Sequence, residues 1–258
     1  VNIAGLITNS EAWTLLKSDE NELVKSEIQA LKSLFDLPVK TPTPAIIYSF
    51  GTLYTSIRVD QKRLLYLHKI LQRDELHWTR KAFDALAQLN VGWTKGIRQT
   101  LSKYHLPSEF EDIRNKSLLE WKNTVKNAIE KKNRDRLVQD CHKQVDGKQV
   151  QKTKTISIIP QIEDTSYTRQ PLGIIKQMTK QETKTLVMAR YGMLECGKNY
   201  KGTLSEICSH CQCIDDEEHR LNICPKYDNY SREPQTINFD IVYSNSIDDV
   251  KLILSRIA

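Results

Sequence analysis

Four cysteines and two histidines crowd into CSHCQCIDDEEHRLNICPKY, residues 208–227, and no other stretch limits the local fold so tightly. The spacing is Cys208-x2-Cys211-x7-His219-x4-Cys224. A zinc ion takes four thiolate or imidazole ligands at the corners of a tetrahedron, and a Cys-x2-Cys turn presents two of them from one short loop. The second pair has to return from another element. Asp215 with Glu218 forms a capping-box pattern, so the spacing predicts a helix opening near Asp216, with His219 on its first turns, Cys224 at its end and Pro225 stopping it. His210 and Cys213 lie in the same loop as alternative ligands, although His210 sits between the knuckle cysteines and Cys213 would strain the turn. A closed set of four protein ligands leaves no position for water, which makes the expected zinc structural and not catalytic. A cysteine-rich loop without metal is the competing reading.

The other two cysteines, Cys141 and Cys196, stand apart, so the six do not form the even framework of a disulfide-stapled domain. That usage suits a reducing, intracellular compartment, cytoplasmic or nuclear. No apolar run reaches the roughly 18–20 residues a membrane helix needs, and no membrane partner is expected. VNIAGLITNSEAWTLL is neither basic nor apolar enough for a secretory signal. The chain opens on Val1, and is expected to be a portion of a longer protein.

Hydrophobic periodicity predicts a mainly α protein: a helical region over 1–146, a linker over 147–178, and a helix, the zinc knuckle and a C-terminal helix over 179–258. Val24, Ile28, Leu31 and Leu34/Phe35 share a helical face that Pro38 ends. Thr43 can cap the next helix, with Pro44 in its first turn and Gly51 at its exit. Ile57, Leu64, Leu67 and Leu71 mark another, and the pattern around Phe83 a further one that closes near Asn90–Gly92. Leu118, Trp121, Val125, Ile129, Leu137 and Cys141 form the apolar side of a long helix running from Lys116 to about Val145. KTKTISIIP is a candidate short strand or extended linker, Thr179 with Glu182 a capping box, and Ser246 with Asp249 the start of a last helix. Trp78, Trp93 and Trp121 are expected in the core, and His68, His77 and His105 as packing or surface residues.

Charge is uneven. Residues 115–154 hold eleven Lys/Arg against five Asp/Glu, so this stretch alone carries the whole chain's surplus of +6. Such a surplus fits a polyanion such as nucleic acid, although a charge run by itself is more often a solvated helix face. The acids at 215–218 make the knuckle's outer loop negative, leaving Lys198, Lys201, Arg220 and Lys226 as the bases that nucleic acid would meet there.

MARYGMLECGKNYKG, CSHCQC and EEHRLNICPKY together resemble the Cys-Cys-His-Cys region near the C-terminus of non-LTR (LINE-type) retrotransposon reverse transcriptases. ALKSLFDLPVKTPTPAIIYSFGTLYTSIRVDQKRLLYLHKIL resembles the helical thumb and connector that follow the polymerase palm in that family. LITNSEAWTLL resembles the tail of the polymerase domain, with Glu11 and Trp13 in the family's order but Thr8, Asn9 and Ser10 where it often has an aromatic-Gly pair. The likeness covers roughly residues 6–72 and 185–227. It implies a non-catalytic C-terminal portion of a reverse transcriptase whose palm, with its metal-binding aspartates, belongs before residue 1. The Asp248–Asp249 doublet does not supply one, since it sits in a helix-cap pattern near the C-terminus. The implied partners are RNA, DNA and that missing palm. Phosphate contacts would come from Lys122, Lys126, Lys131, Lys132, Arg134 and Arg136, with Lys62 and Arg63 from an earlier helix. Tyr200 and Tyr227 would be available for base stacking. The alternative is a zinc-stabilised protein-interaction module, a retroelement remnant used by a host. No Ser/His/Asp set, phosphate loop or open metal position points to an enzyme.

Overall fold

The computed structural model describes residues 10, 17–145, 175, 177–199, 202, 204–220, 224, 248, 250, 251 and 254. Among these the protein is mainly α. The helices are α1 (Lys17–Leu34), α2 (Thr43–Ser49), α3 (Thr55–Leu71), α4 (Trp78–Leu89), α5 (Gly92–Lys103), α6 (Phe110–Arg114), α7 (Leu118–Val145) and α8 (Lys180–Arg190). The described residues include no strand, only an antiparallel bridge between Ile207 and Ile214. No helix among them is long and apolar enough to cross a membrane.

Two compact units divide the chain in an interleaved way. One comprises Val1–Ala30 with Leu53–Arg136, the other Leu31–Thr52 with Leu137–Ala258. The loop and helix from Leu31 to Thr52 thus group with the C-terminal half, a pairing that periodicity does not reveal. The expected linker over 147–178, including KTKTISIIP, lies almost wholly outside the described residues.

In the first unit α3 is the central element: Ile57, Val59, Leu64, Leu67 and Leu71 are all buried, together with Ile97 and Leu101 of α5. Helix α7 closes this core with Trp121, Val125 and Ile129. Four residues advance an α-helix by about 400°, so a row at i, i+4, i+8 drifts round the helix by about 40° a step. That row continues through Asn133, a polar break in an otherwise apolar stripe, which is buried because its Oδ1 accepts a hydrogen bond from the Tyr54 N–H at 3.2 Å. Tyr54 precedes the first turn of α3, where backbone donors have no partner within the helix. Trp121 Nε1 donates to the Leu64 carbonyl at 2.9 Å, so the largest buried side chain also satisfies its polar atom. Helix α7 begins with a capping box: Ser117 N donates to Glu120 Oε2 at 2.8 Å and Glu120 N to Ser117 Oγ at 3.2 Å.

Some expected placements change. Trp78 is 75% exposed at the start of α4, Trp93 is half-buried edge-on to Tyr66 and Phe83, and only Trp121 is fully buried. Leu118 is exposed as well, at the first position of α7. Thr43 is not a cap: α2 starts at Thr43 itself, after Pro42 in extended conformation with no side-chain cap. The histidines do take the expected packing or surface positions: His68 is buried, its Nε2 2.9 Å from the Lys116 carbonyl, and His77 caps α4 through Nδ1, which accepts from Thr79 N at 3.2 Å. His105 is exposed.

The second unit brings α8 against α2. Thr179 and Glu182 form the expected capping box at the start of α8. Leu186 packs with Val250 and Leu254, with Met178 beside them. The remainder of the C-terminal helix expected from Ser246 lies outside the described residues. After α8 the chain turns through Gly192, whose φ of 59° is the left-handed conformation glycine adopts without strain, and enters the metal-ligand region.

Candidate metal centre

Cys208, Cys211, His219 and Cys224 bring one ligand atom each to within 4.8 Å of one another. The Cys208 and Cys224 sulfurs are 3.8 Å apart and those of Cys211 and Cys224 3.9 Å. Zinc–sulfur bonds of roughly 2.3 Å at tetrahedral angles put two sulfurs about 3.8 Å apart, so both edges fit. His219 Nε2 lies 3.1 Å from Cys211 Sγ and Nδ1 3.9 Å, so Nε2 is the nitrogen nearer that sulfur. The donor set suits one soft or borderline ion, and all four corners belong to protein. Among the described residues this is the one group of this kind. None of the six cysteines is disulfide-bonded.

Each pair of ligands has its own local device. In the first, Gln212 N donates to the Cys208 carbonyl at 3.0 Å and Cys208 N to the Cys213 carbonyl at 2.8 Å. Gln212 takes a φ of 60°, which reverses the chain immediately after Cys211. In the second, a helical turn opens at Asp216, whose Oδ1 accepts from His219 N at 2.9 Å. The cap is therefore Asp216 and not Asp215. Five residues of α-helix would set His219 and Cys224 about 140° apart. Instead Cys224 N donates to the His219 carbonyl at 2.8 Å, a π-type i→i+5 bond that widens the turn and returns Cys224 to the side of His219.

Asp215 is freed by this arrangement for a different task. Arg220 donates to both of its oxygens, Nε to Oδ1 at 2.8 Å and Nη2 to Oδ2 at 2.7 Å, while Gly197 N donates to Oδ2 at 2.8 Å. Its backbone works too: Asp215 N donates to the Glu206 carbonyl at 2.9 Å and its carbonyl accepts from Lys198 N at 3.0 Å. Asn199 Nδ2 joins the Leu194 carbonyl at 2.9 Å and Glu217 Oε1 at 2.8 Å. The segment 194–199 is in this way sewn to the ligand loop. Nothing in the ligand spacing marks Gly197 or Asp215 for this role; the acidic run at 215–218 was the available signal.

The electrostatics follow the geometry. Backbone N–H groups of Cys211 and His210, aided by His219, pull the Cys208 thiol down to about 6. Desolvation pushes the Cys211 thiol up to about 12. Cys208 is thus the readier thiolate and Cys211 the one that keeps its proton, and a divalent ion would take that proton's place. Arg220 first, and then Gly197 N–H against the opposing desolvation, holds the Asp215 carboxyl below its ordinary value. By contrast, burial pushes the isolated Cys141 thiol up to about 12, leaving it a packing residue.

His210 and Cys213 are exposed and outside the ligand group, with Cys213 Sγ 3.5 Å from the Cys211 carbonyl. The basic residues expected to meet nucleic acid fall into three sets. Lys122, Lys126 and Lys131 are exposed on α7, and Lys62 and Lys132 are half-buried. Arg63 is not on the surface: it is 6% exposed and lies 3.7 Å from the buried Asp60 carboxylate, which also takes Lys103 Nζ at 2.7 Å and Tyr104 Oη at 2.9 Å. Arg134 is half-buried with internal interactions, and Arg136 is half-buried over the Tyr54 ring at 4.2 Å while donating to Ser56 Oγ at 2.8 Å. Near the ligands, Arg220 is engaged with Asp215, and Lys198 is exposed but pairs with Asp216 at 3.1 Å. Lys201, Lys226, Tyr200 and Tyr227 lie outside the described residues. The long guanidinium side chains have been drawn into ion pairs and ring stacking, while the lysines on the far side of α7 keep their heads in water.

No protein-family model matches the chain, and no curated protein or solved structure is significantly similar to it.

Proposed function

We propose that this chain is a metal-stabilised nucleic-acid-binding region, the non-catalytic C-terminal part of a LINE-type reverse transcriptase, working in a reducing intracellular compartment. The observation that carries the reading is the Cys208–Cys211–His219–Cys224 group, whose sulfur–sulfur separations of 3.8 and 3.9 Å suit a closed zinc tetrahedron. The same residues carry the family resemblance. The ion is zinc and its task is to fold the loop: three thiolates and one imidazole complete the coordination shell, so no position remains to activate water. Binding of RNA or DNA falls to α7, where Lys122, Lys126 and Lys131 are exposed. These ammonium groups take backbone phosphates, which gives affinity without choice of sequence.

The experiment is binding of the zinc-loaded chain to a labelled structured RNA and to a duplex DNA across a salt series. Steep loss of affinity with added salt is the expected result. Flat, weak binding to both would remove nucleic acid from the reading and leave the metal site as a scaffold.

A further inference from the structure

Ile207 and Ile214 face each other across an antiparallel bridge, and both are exposed, Ile207 by 43% and Ile214 by 60%. The bonds that make the bridge are Cys208 N to the Cys213 carbonyl and Asp215 N to the Glu206 carbonyl. They bracket the isoleucines without involving them, which makes the two a non-hydrogen-bonded pair, the arrangement with the closest side chains, both on one side of the ribbon. Their chain neighbours Cys208 and Asp215 are buried, Cys208 as a metal ligand and Asp215 against Arg220 and Gly197. Alternation gives the ribbon two sides: one carries buried Cys208 and Asp215 with exposed Glu206 and Cys213 beside them, the other offers two β-branched apolar chains to water. Leu204, three residues upstream, is 43% exposed as well.

The surroundings decide what such a face would take. Residues 204–220 contain Glu206, Asp215, Asp216, Glu217 and Glu218 against Arg220 alone, a formal charge of −4. Three thiolates around a divalent ion add one more negative charge. Among the described residues, the nearby bases Lys198 and Arg220 are paired with Asp216 and Asp215. A phosphate backbone would meet repulsion here, and an apolar chain carrying positive charge would meet attraction.

We infer that the Ile207–Ile214 face of the metal loop docks a short basic polypeptide segment with apolar anchors, contributed by a partner protein. Two or three aliphatic chains make a small patch, which fits one extended or helical segment and not a whole domain. Cys208 supplies one bridge bond and one metal corner at once, so the platform is built onto the ligand group. The inference is independent of nucleic-acid binding by α7.

The test uses the zinc-loaded full chain and a fluorescein-labelled amphipathic peptide built only of Lys and Leu. The same peptide with Glu for Lys and a single-stranded oligothymidylate serve as rivals. The Lys/Leu peptide is expected to bind at least tenfold more tightly than its Glu counterpart. The double variant Ile207→Thr/Ile214→Thr keeps β-branched residues in the bridge, and should lose that binding tenfold or more with one zinc per chain retained. Equal peptide binding by the variant and the parent chain overturns the proposal, as does a variant that weakens oligothymidylate and spares the peptide. Should the double variant lose zinc, hydrogen exchange of the parent chain decides: peptide-induced protection of the amides at 206–215 supports the face, and protection elsewhere alone rejects it.

Discussion

Arg220 grips Asp215 with two parallel hydrogen bonds, Nε to Oδ1 at 2.8 Å and Nη2 to Oδ2 at 2.7 Å, one residue beyond the ligand His219. The pair orients the turn that carries His219, and through Gly197 N it ties that turn to the segment upstream. Asp215→Asn keeps an acceptor for Gly197 but loses the charged fork. The variant is expected to lower stability at neutral pH by about 1–2 kcal/mol, short of a fully buried pair because the Arg220 side chain keeps 17% of its surface in water. The Asp215 carboxyl is held below its ordinary value. Its contribution is therefore complete above the unfolded value, near 4, and fades as pH falls through the lower folded value. Urea midpoints of the two proteins at a series of pH values should differ at neutrality and converge on the acid side. A difference that persists unchanged into strong acid would dissociate the pair from its ionisation.

Gly197 allows no side chain. A Cβ there would overlap the Ser205 carbonyl oxygen and stand 2.6 Å from the Ser205 carbonyl carbon and 2.8 Å from the Glu206 Cα, backbone atoms that cannot swing aside. Gly197→Ala must push segment 194–199 off the ligand loop, at a cost of about 3 kcal/mol, the upper end for overpacking. Zinc affinity measured by chelator competition should fall with it, although Gly197 touches no ligand. Parent-like affinity in this variant would show that the two segments are not mechanically joined.

How much of this was legible in the sequence depends on what kind of interaction did the work. The four ligands were readable because metal chemistry restricts residue type and spacing together. Helices α3 and α7 were readable because their apolar rows repeat every three or four residues, and the Thr179–Glu182 box because capping is local. Ser117 and Glu120 carry the same local pattern at the head of α7 and went unread beside the stronger apolar signal. Asn133 in the core and Arg63 beside Asp60 were not readable, since each is buried for a partner distant in sequence or for a carboxylate that must be neutralised. The Asp216 cap was misplaced by one residue because neighbouring aspartates present the same pattern. Only the turn shows which one faces the His219 amide.

The ligand assignment separates four residues from two close competitors. Cobalt substitution should give the intense visible absorption of a tetrahedral thiolate site in the parent chain and in Cys213→Ser and His210→Ala, which alter exposed positions. Cys208→Ser, Cys211→Ser, His219→Ala and Cys224→Ser should each weaken metal binding and raise proteolysis within 204–220, because ion binding and folding of that segment are one free energy. Helices α3 to α7 up to Arg136 should keep their protection on chelation, being held by a core of their own. A spectrum lost in Cys213→Ser and kept in Cys211→Ser would exchange the two.

For the basic helix, exposure sorts the charges into those that can serve a phosphate and those that hold the fold. Lys122, Lys126 and Lys131 are exposed, so reversing all three to Glu should leave the thermal midpoint within a few degrees of the parent, as for surface substitutions generally. If they contact phosphates, each lysine lost should flatten the slope of log affinity against log salt by about 0.7–0.9, depending on whether the strand is single or double. Arg136→Ala behaves oppositely. It removes the guanidinium from the Tyr54 ring and from Ser56 Oγ, and should cost about 1–3 kcal/mol of stability with little change in the salt slope. A triple lysine variant with an unaltered slope, alongside an Arg136→Ala variant that binds weakly but folds well, would move the nucleic-acid surface from the exposed lysines to the half-buried arginine face.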